Sequence, residues 1–129
     1  MTMNSAAKIF FGIGAFSVFT AVALGAFGAH ALRANLDAPM LAVLETGVRY
    51  QFYHALALMI SAWAVIYFQH RLILAGGWFF IAGTALFSGS LYALALSGYK
   101  ALGAVTPLGG LCFLAGWICV GLGVLKSRI

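Results

Sequence analysis

Six polar residues of a largely apolar chain carry side chains that could bind a ligand or move a proton: His30, Glu45, Arg49, Tyr50, Gln51 and His54. On a helix, Tyr50, Gln51 and His54 fall within about 100° of arc, together with Gly47 and Ser61. Polar groups in hydrocarbon are costly unless they are hydrogen-bonded. We therefore expect this stripe to face other helices or a wet cavity, where it could bind a small molecule or an ion.

The two histidines raise the possibility of a metal or haem site. His54 lies about one turn beyond Tyr50, which places it near the depth of His30 on an antiparallel neighbouring helix. The sequence offers no third or fourth ligand at a recognisable spacing. We therefore favour a structural role, in which each imidazole donates to a carbonyl or a tyrosine, and we predict neither a metal site nor a cofactor.

Glu45 and Arg49 stand four residues apart with the acid first, which is the favourable order on a helix. The pair could gate a substrate or relay protons, but a simple helix-stabilising pair near the membrane interface is favoured. The sequence contains no nucleophile–base–acid trio, no phosphate-binding glycine loop and no zinc-spaced cluster. We therefore predict that the protein is not an enzyme.

The elements that position these residues are four long uncharged stretches. Residues 9–32, 50–70, 72–99 and 101–125 contain no Asp, Glu, Lys or Arg. A membrane-spanning helix needs about 20 mostly apolar residues. The chain is 64% hydrophobic and only 7% charged, whereas soluble proteins carry about 25% charged residues. The sequence predicts one all-α membrane domain over 1–129, a four-helix bundle with spans at roughly 9–29, 50–68, 72–96 and 107–125.

The connections carry recognisable helix-start and helix-stop signals. Asn35, Asp37 and Pro39 predict a helix start, and Leu36, Met40 and Leu44 then recur every four residues. This pattern indicates a short amphipathic interfacial helix between spans one and two, with a bend at Gly47, or a single continuous long helix. Residues 69–71 predict a tight hairpin, Gly98 a left-handed helix end, and Thr106 with Pro107 a capped helix start.

Small residues repeat along two spans at helical spacing. Gly14, Ala21, Gly25 and Gly28 share one side of span one, and Gly109, Gly116 and Gly123 repeat every seven residues in span four. Such faces let membrane helices approach closely, so we assign these residues to helix packing rather than to cofactor contact. Cys112 and Cys119 would lie about 10.5 Å apart on one helix, too far for a disulfide.

The net charge of +5 does not indicate nucleic acid binding, because the seven cations are scattered at helix ends rather than gathered in a patch. The first apolar run is too long and too rich in glycine for a signal peptide, and we take it as a retained span. Four spans place both termini on one side with Lys8, Arg71, Lys126 and Arg128, against Arg33, Arg49 and Lys100 on the other. This weak excess predicts cytoplasmic termini.

Four ordered motifs together resemble a known family: residues 25–32 (GAFGAHAL), 45–56 (ETGVRYQFYHAL), 87–92 (FSGSLY) and 106–110 (TPLGG). The set is similar to the YgdD-like small inner-membrane proteins, labelled domain of unknown function 423 and related to a small animal mitochondrial transmembrane protein. The resemblance covers essentially the whole chain. It implies a four-span bacterial inner-membrane protein and no particular activity.

Three hypotheses on function follow. The first is a non-enzymatic membrane component, which sits in the lipid bilayer and packs against a second copy or another membrane protein in a larger assembly. The alternative is a small-molecule or ion binder or transporter that uses His30, Glu45, Arg49, Tyr50, Gln51 and His54. The third, a haem or metal carrier, has only the two histidines behind it.

Overall fold

The computed structural model of the protein describes residues 1–128, and within them it contains only helices and their connections. The main helices are α1 (Met3–Val22), α2 (Ala29–Leu32), α3 (Ala38–Phe68), α4 (Arg71–Ser97) and α5 (Thr106–Lys126). A π-helical segment, Ala23–Gly28, joins α1 to α2, and a 3₁₀ turn, Lys100–Ala104, precedes α5. Four continuous helical segments of this range are long and apolar enough to cross a membrane. The predicted all-α, four-helix membrane bundle is confirmed.

The start of α3 follows the predicted signal, but the separate interfacial helix is absent. The carboxylate of Asp37 accepts a hydrogen bond from the Met40 amide at 2.9 Å, and Pro39 lies in the first turn. The helix then continues unbroken for 31 residues, so the continuous-helix alternative is the correct one. Gly47 is not a bend: it is buried where α4 crosses, and a Cβ there would lie 2.7 Å from Cε1 of Tyr92.

The other connections match the sequence signals except at Thr106. Gln69 ends α3 with φ of 48°, and the Nδ1 atom of His70 accepts the Leu72 amide hydrogen at 3.2 Å. Gly98 ends α4 with φ of 72°, as predicted. Thr106 does not cap α5; its hydroxyl hydrogen-bonds to that of Ser90 on α4 at 2.6 Å.

The bundle is open rather than closed. Helix α1 packs on α3, α3 on α4, and α4 on α5, whereas α1 and α5 do not contact each other within the described residues. The α4–α5 contact is close because glycines meet bulky side chains. A Cβ on Gly116 would lie 2.7 Å from Phe80 and one on Gly123 would lie 2.5 Å from Ile73.

The small residues of span one have different surroundings. Gly14 and Ala21 are buried, and a Cβ on Gly14 would lie 2.5 Å from the Met59 side chain of α3. Gly25 is exposed, with Val48 as its only close neighbour, and Gly28 is near atoms of its own helix alone. Gly14 therefore makes the tightest contact with α3, Gly25 has one neighbour on that helix, and Gly28 has none.

Candidate functional site

Gln51 is the centre of a polar network that joins three helices. Its side-chain amide is buried on α3 and donates to the Ser17 carbonyl at 2.9 Å and to the Thr20 hydroxyl at 2.7 Å, both on α1. Its oxygen accepts from the Tyr92 hydroxyl of α4 at 2.5 Å. Every buried side-chain nitrogen and oxygen atom of the described residues has a hydrogen-bond partner. The network therefore fixes how α1, α3 and α4 face one another.

Two serines of α4 add further links between helices. The Ser88 hydroxyl donates to the Gly47 carbonyl of α3 at 2.7 Å. The Ser90 hydroxyl hydrogen-bonds to Thr106 at the start of α5 and also donates to the Phe87 carbonyl at 2.9 Å. These bonds join α4 to its two neighbours at the same end of the bundle as Gln51.

His54 lies one turn further along α3 and points to α5. Its Nε2 atom is 3.1 Å from the indole Nε1 of Trp117, and its Nδ1 atom is 2.8 Å from the Tyr50 carbonyl oxygen. Because an indole nitrogen only donates, Nε2 must be the acceptor, and the proton of the neutral ring is on Nδ1. The ring stacks on Phe113 with centroids 3.5 Å apart. Both ring nitrogens are thus engaged.

The two histidines have different surroundings. His30 is exposed on α2, whereas His54 is buried with its hydrogen-bond partners on α3 and α5. No group of three or more His, Cys, Asp or Glu side chains placed to hold a metal occurs in residues 1–128. In this arrangement His54 has no free lone pair to offer a metal ion.

The structure distributes the six sequence-selected residues over several places. Glu45 and Arg49 are exposed and line a groove of about 360 Å³ together with Gly25 and Ala29. Gln51 bonds to α1 and α4 and does not line this groove. Glu45 and Arg49 thus share one groove, and Tyr50 and His54 share one other surface.

That surface is a groove of about 570 Å³ between α3, α4 and α5. Aromatic rings form its walls: Tyr50, His54, Phe87, Phe113 and Trp117. The Tyr50 and Phe87 rings are 4.7 Å apart, and the Tyr50 side chain remains 38% exposed. The size and the aromatic lining of the groove suit an apolar or planar group.

A family model described as "Protein of unknown function (DUF423)" matches residues 24–110. The chain belongs to this family. The resemblance inferred from the four sequence motifs is therefore confirmed. The matched DUF423 range contains His30, Gln51, His54 and Tyr92, and it ends before Trp117.

Relatives of this DUF423 chain cover nearly its whole length. The UPF0382 membrane protein YwdK of Bacillus subtilis (strain 168) is 41% identical over 124 residues, which cover 92% of this chain and 98% of the relative. The UPF0382 inner membrane protein YgdD of Escherichia coli (strain K12) is 44% identical over 117 residues, which cover 88% and 87%. No solved structure matches the chain.

The sequence of this DUF423 chain did not reveal the hydrogen-bond partners of the polar stripe. The Thr20 hydroxyl on span one was the available signal for the Gln51 contact, since Ser17 contributes only its backbone carbonyl. Trp117 gave no such signal, because a tryptophan in an apolar span usually packs or faces lipid.

Proposed function

We propose that the protein is a non-enzymatic component of a larger membrane assembly, in which the outer face of α4 packs against a helix of another membrane protein. One observation carries this proposal: α4 presents an exposed stripe of small residues away from the rest of the bundle. The stripe consists of Ala82, Ala85, Gly89 and Ala93.

Gly89 is the informative member, because nothing within this chain accounts for it. Gly76, Gly77 and Gly83 on the same helix are buried, and each has side-chain or backbone atoms where a Cβ would be. A Cβ on Gly89 would meet no atom within 4 Å. A glycine inside a helix costs about 0.5–1 kcal/mol relative to alanine. Close approach of a second helix would offset that cost, since small residues spaced by four let membrane helices come together.

Two other glycines inside helices, Gly12 and Gly121, also have open space around them. Their neighbours four residues away differ from those of Gly89. Gly121 lies between the exposed side chains of Trp117 and Leu125, and Gly12 is followed by exposed Phe16. Only at Gly89 are the residues on both sides, Ala85 and Ala93, small and exposed.

Paired glycine substitutions test the proposal. We expect Gly89→Leu to abolish stoichiometric co-purification of a membrane partner after cross-linking in native membranes. Gly121→Leu, which adds the same side chain at another open glycine, should retain the partner. A partner retained by both variants, or a wild-type protein that isolates as a homo-oligomer alone, would contradict the proposal.

We further propose a bacterial inner-membrane location with both termini in the cytoplasm. The relative YgdD is named an inner membrane protein, and Lys and Arg number four against three in favour of the terminal side. Labelling of Thr2→Cys and Ala101→Cys, each in a background with Cys112→Ser and Cys119→Ser, by a membrane-impermeant thiol reagent tests the orientation. Reaction at residue 101 alone in intact cells is expected.

The aromatic groove beside His54 supports a second candidate function, the binding of an apolar small molecule. Its volume of about 570 Å³ and the partly exposed Tyr50 side chain favour this function. Saturable binding of an apolar fluorescent probe, weakened by Leu114→Trp in the groove and unchanged by Leu122→Trp outside it, is the expected result. Equal effects of the two variants would exclude the groove.

A further inference from the structure

A second apolar groove lies on the lipid-facing side of the α1–α3 contact, toward the end where the chain begins. Its volume is about 500 Å³, and its lining includes Lys8, Phe11, Gly12, Met59, Ala62 and Trp63. All but Lys8 are apolar, and the groove is open to the surrounding lipid.

The depth of this groove depends on its small residues. Gly12 has nothing within 4 Å of a Cβ position, whereas Gly14, two residues later, is in tight contact with Met59. The exposed rings of Phe11 and Trp63 belong to its rim. A cleft with a small-residue floor and aromatic rims suits a flexible hydrocarbon chain, which gains dispersion contacts there without displacing any protein group.

The groove continues toward the membrane centre. An adjoining apolar cleft of about 390 Å³ shares Met59 and Trp63 with it and extends to Leu56 and Ile60. The path from Trp63 to Leu56 covers about 10 Å along the helix axis. One leaflet of hydrocarbon is about 15 Å thick, so the two clefts together follow an acyl chain through most of its leaflet.

Charge at this end of the bundle selects the headgroup. Lys8 lies at the groove, and Arg71, Lys126 and Arg128 belong to the same end because neighbouring helices alternate in direction. The only acidic side chains, Asp37 and Glu45, lie near the other end. No Asp or Glu side chain of this chain is therefore available to pair with Lys8. The apolar stem of a lysine lies along the hydrocarbon while its ammonium group reaches the headgroup region, where the lipid phosphate is the nearest anion.

We propose that this groove is a binding site for one anionic phospholipid, with an acyl chain between α1 and α3 and the phosphate paired with Lys8. Trp63 stacks on Tyr67 with ring centroids 5.2 Å apart. These two rings form the kind of aromatic belt that marks the headgroup boundary. The site depends neither on a protein partner nor on the direction of insertion.

Native mass spectrometry of the detergent-purified protein tests the site. The probes are dioleoyl phosphatidylglycerol and dioleoyl phosphatidylcholine, which share their acyl chains and differ in headgroup charge. We expect the wild-type protein to retain phosphatidylglycerol preferentially. Lys8→Gln should weaken the binding of phosphatidylglycerol by about tenfold, because one charge-assisted contact is lost. The same substitution should leave the binding of phosphatidylcholine unchanged. Gly12→Leu should weaken the binding of both lipids because the leucine side chain fills the groove.

Two matched variants separate a built site from diffuse attraction. Lys126→Gln removes an equal charge at the same end of the bundle but outside the groove, and Gly121→Leu adds an equal side chain at an open glycine of α5. Both should bind phosphatidylglycerol like the wild type. Equal losses in Lys8→Gln and Lys126→Gln, or unchanged binding in Gly12→Leu, would overturn the proposal. Unfolding midpoints of all four variants verify that each is folded.

Discussion

At the scale of single residues, the polar groups of this chain link helices rather than form one reactive centre. Gln51 makes hydrogen bonds to α1 and α4, and His54 makes one to α5. The sequence predicted correctly that these side chains face the bundle, because a polar side chain exposed to hydrocarbon costs free energy. It could not identify their partners, since Thr20, Tyr92 and Trp117 are 31, 41 and 63 residues away.

Removing the Gln51 side-chain amide should reveal how strongly the Gln51 and Tyr92 side chains are coupled in stability. Gln51→Leu keeps the volume but leaves the Tyr92 hydroxyl without an acceptor, so we expect a loss of about 2 kcal/mol in the free energy of unfolding. In the double variant with Tyr92→Phe, the losses should fall short of additivity by about 1 kcal/mol. Unfolding in mixed micelles measures both, with the exposed Tyr53→Phe as an unchanged control. Strict additivity would show that the two side chains act independently.

Gln69 is the only non-glycine residue with positive φ in residues 1–128. Its left-handed backbone is strained for any residue with a Cβ, so Gln69→Gly should stabilise the α3–α4 hairpin by about 0.5–1 kcal/mol. Gln69→Ala retains the Cβ and should give no gain. The same micelle unfolding experiment checks this pair, and a destabilised Gln69→Gly would mean that the glutamine side chain makes a larger contribution than the backbone strain.

At the scale of elements, local signals predicted helix ends well, and contacts between helices decided the exceptions. Asp37 and Gly98 act within one turn of their own helix, so their roles could be inferred from the sequence. Thr106 has a hydroxyl that suits a cap, yet it bonds to Ser90 on another helix. Gly47 was a candidate bend, but its close contact with Tyr92 of the crossing helix α4 explains the need for a glycine better. Neither crossing partner is visible in a local sequence window.

The α4–α5 contact offers a sharp test of glycine packing. A Cβ on Gly116 would lie 2.7 Å from Phe80 and 3.2 Å from the Gly76 carbonyl oxygen, so Gly116→Leu must separate the two helices. We expect a loss of about 3 kcal/mol in unfolding free energy. Gly121→Leu has open space and also replaces a helical glycine, so it should be neutral or slightly stabilising. Similar behaviour of the two variants would contradict the packing described here.

At the scale of the whole molecule, the four helices form a chain of neighbours in which the first and last do not meet. Span number and lengths follow from hydropathy, but the order of packing does not, since any of four apolar helices could close the bundle. Within residues 1–128, the only side-chain hydrogen bond between α3 and α5 is that of Trp117 to His54. The position of α5 relative to α3 therefore depends on α4, on the stacking of His54 against Phe113 and on this bond.

Trp117→Phe should make the position of α5 relative to α3 less fixed while leaving the other helix pairs intact. The substitution removes the indole N–H but keeps an aromatic ring, so we expect a stability loss of about 1 kcal/mol. Distances between spin labels at the exposed positions Ile60 on α3 and Ile118 on α5 should broaden, whereas those between Ile60 and Phe16 on α1 should not. Trp63→Phe, which changes an exposed tryptophan in the same way, serves as the control for the α3–α5 distance. Broadening of both distances would indicate general destabilisation, and broadening of neither would show that α5 keeps its place without this hydrogen bond.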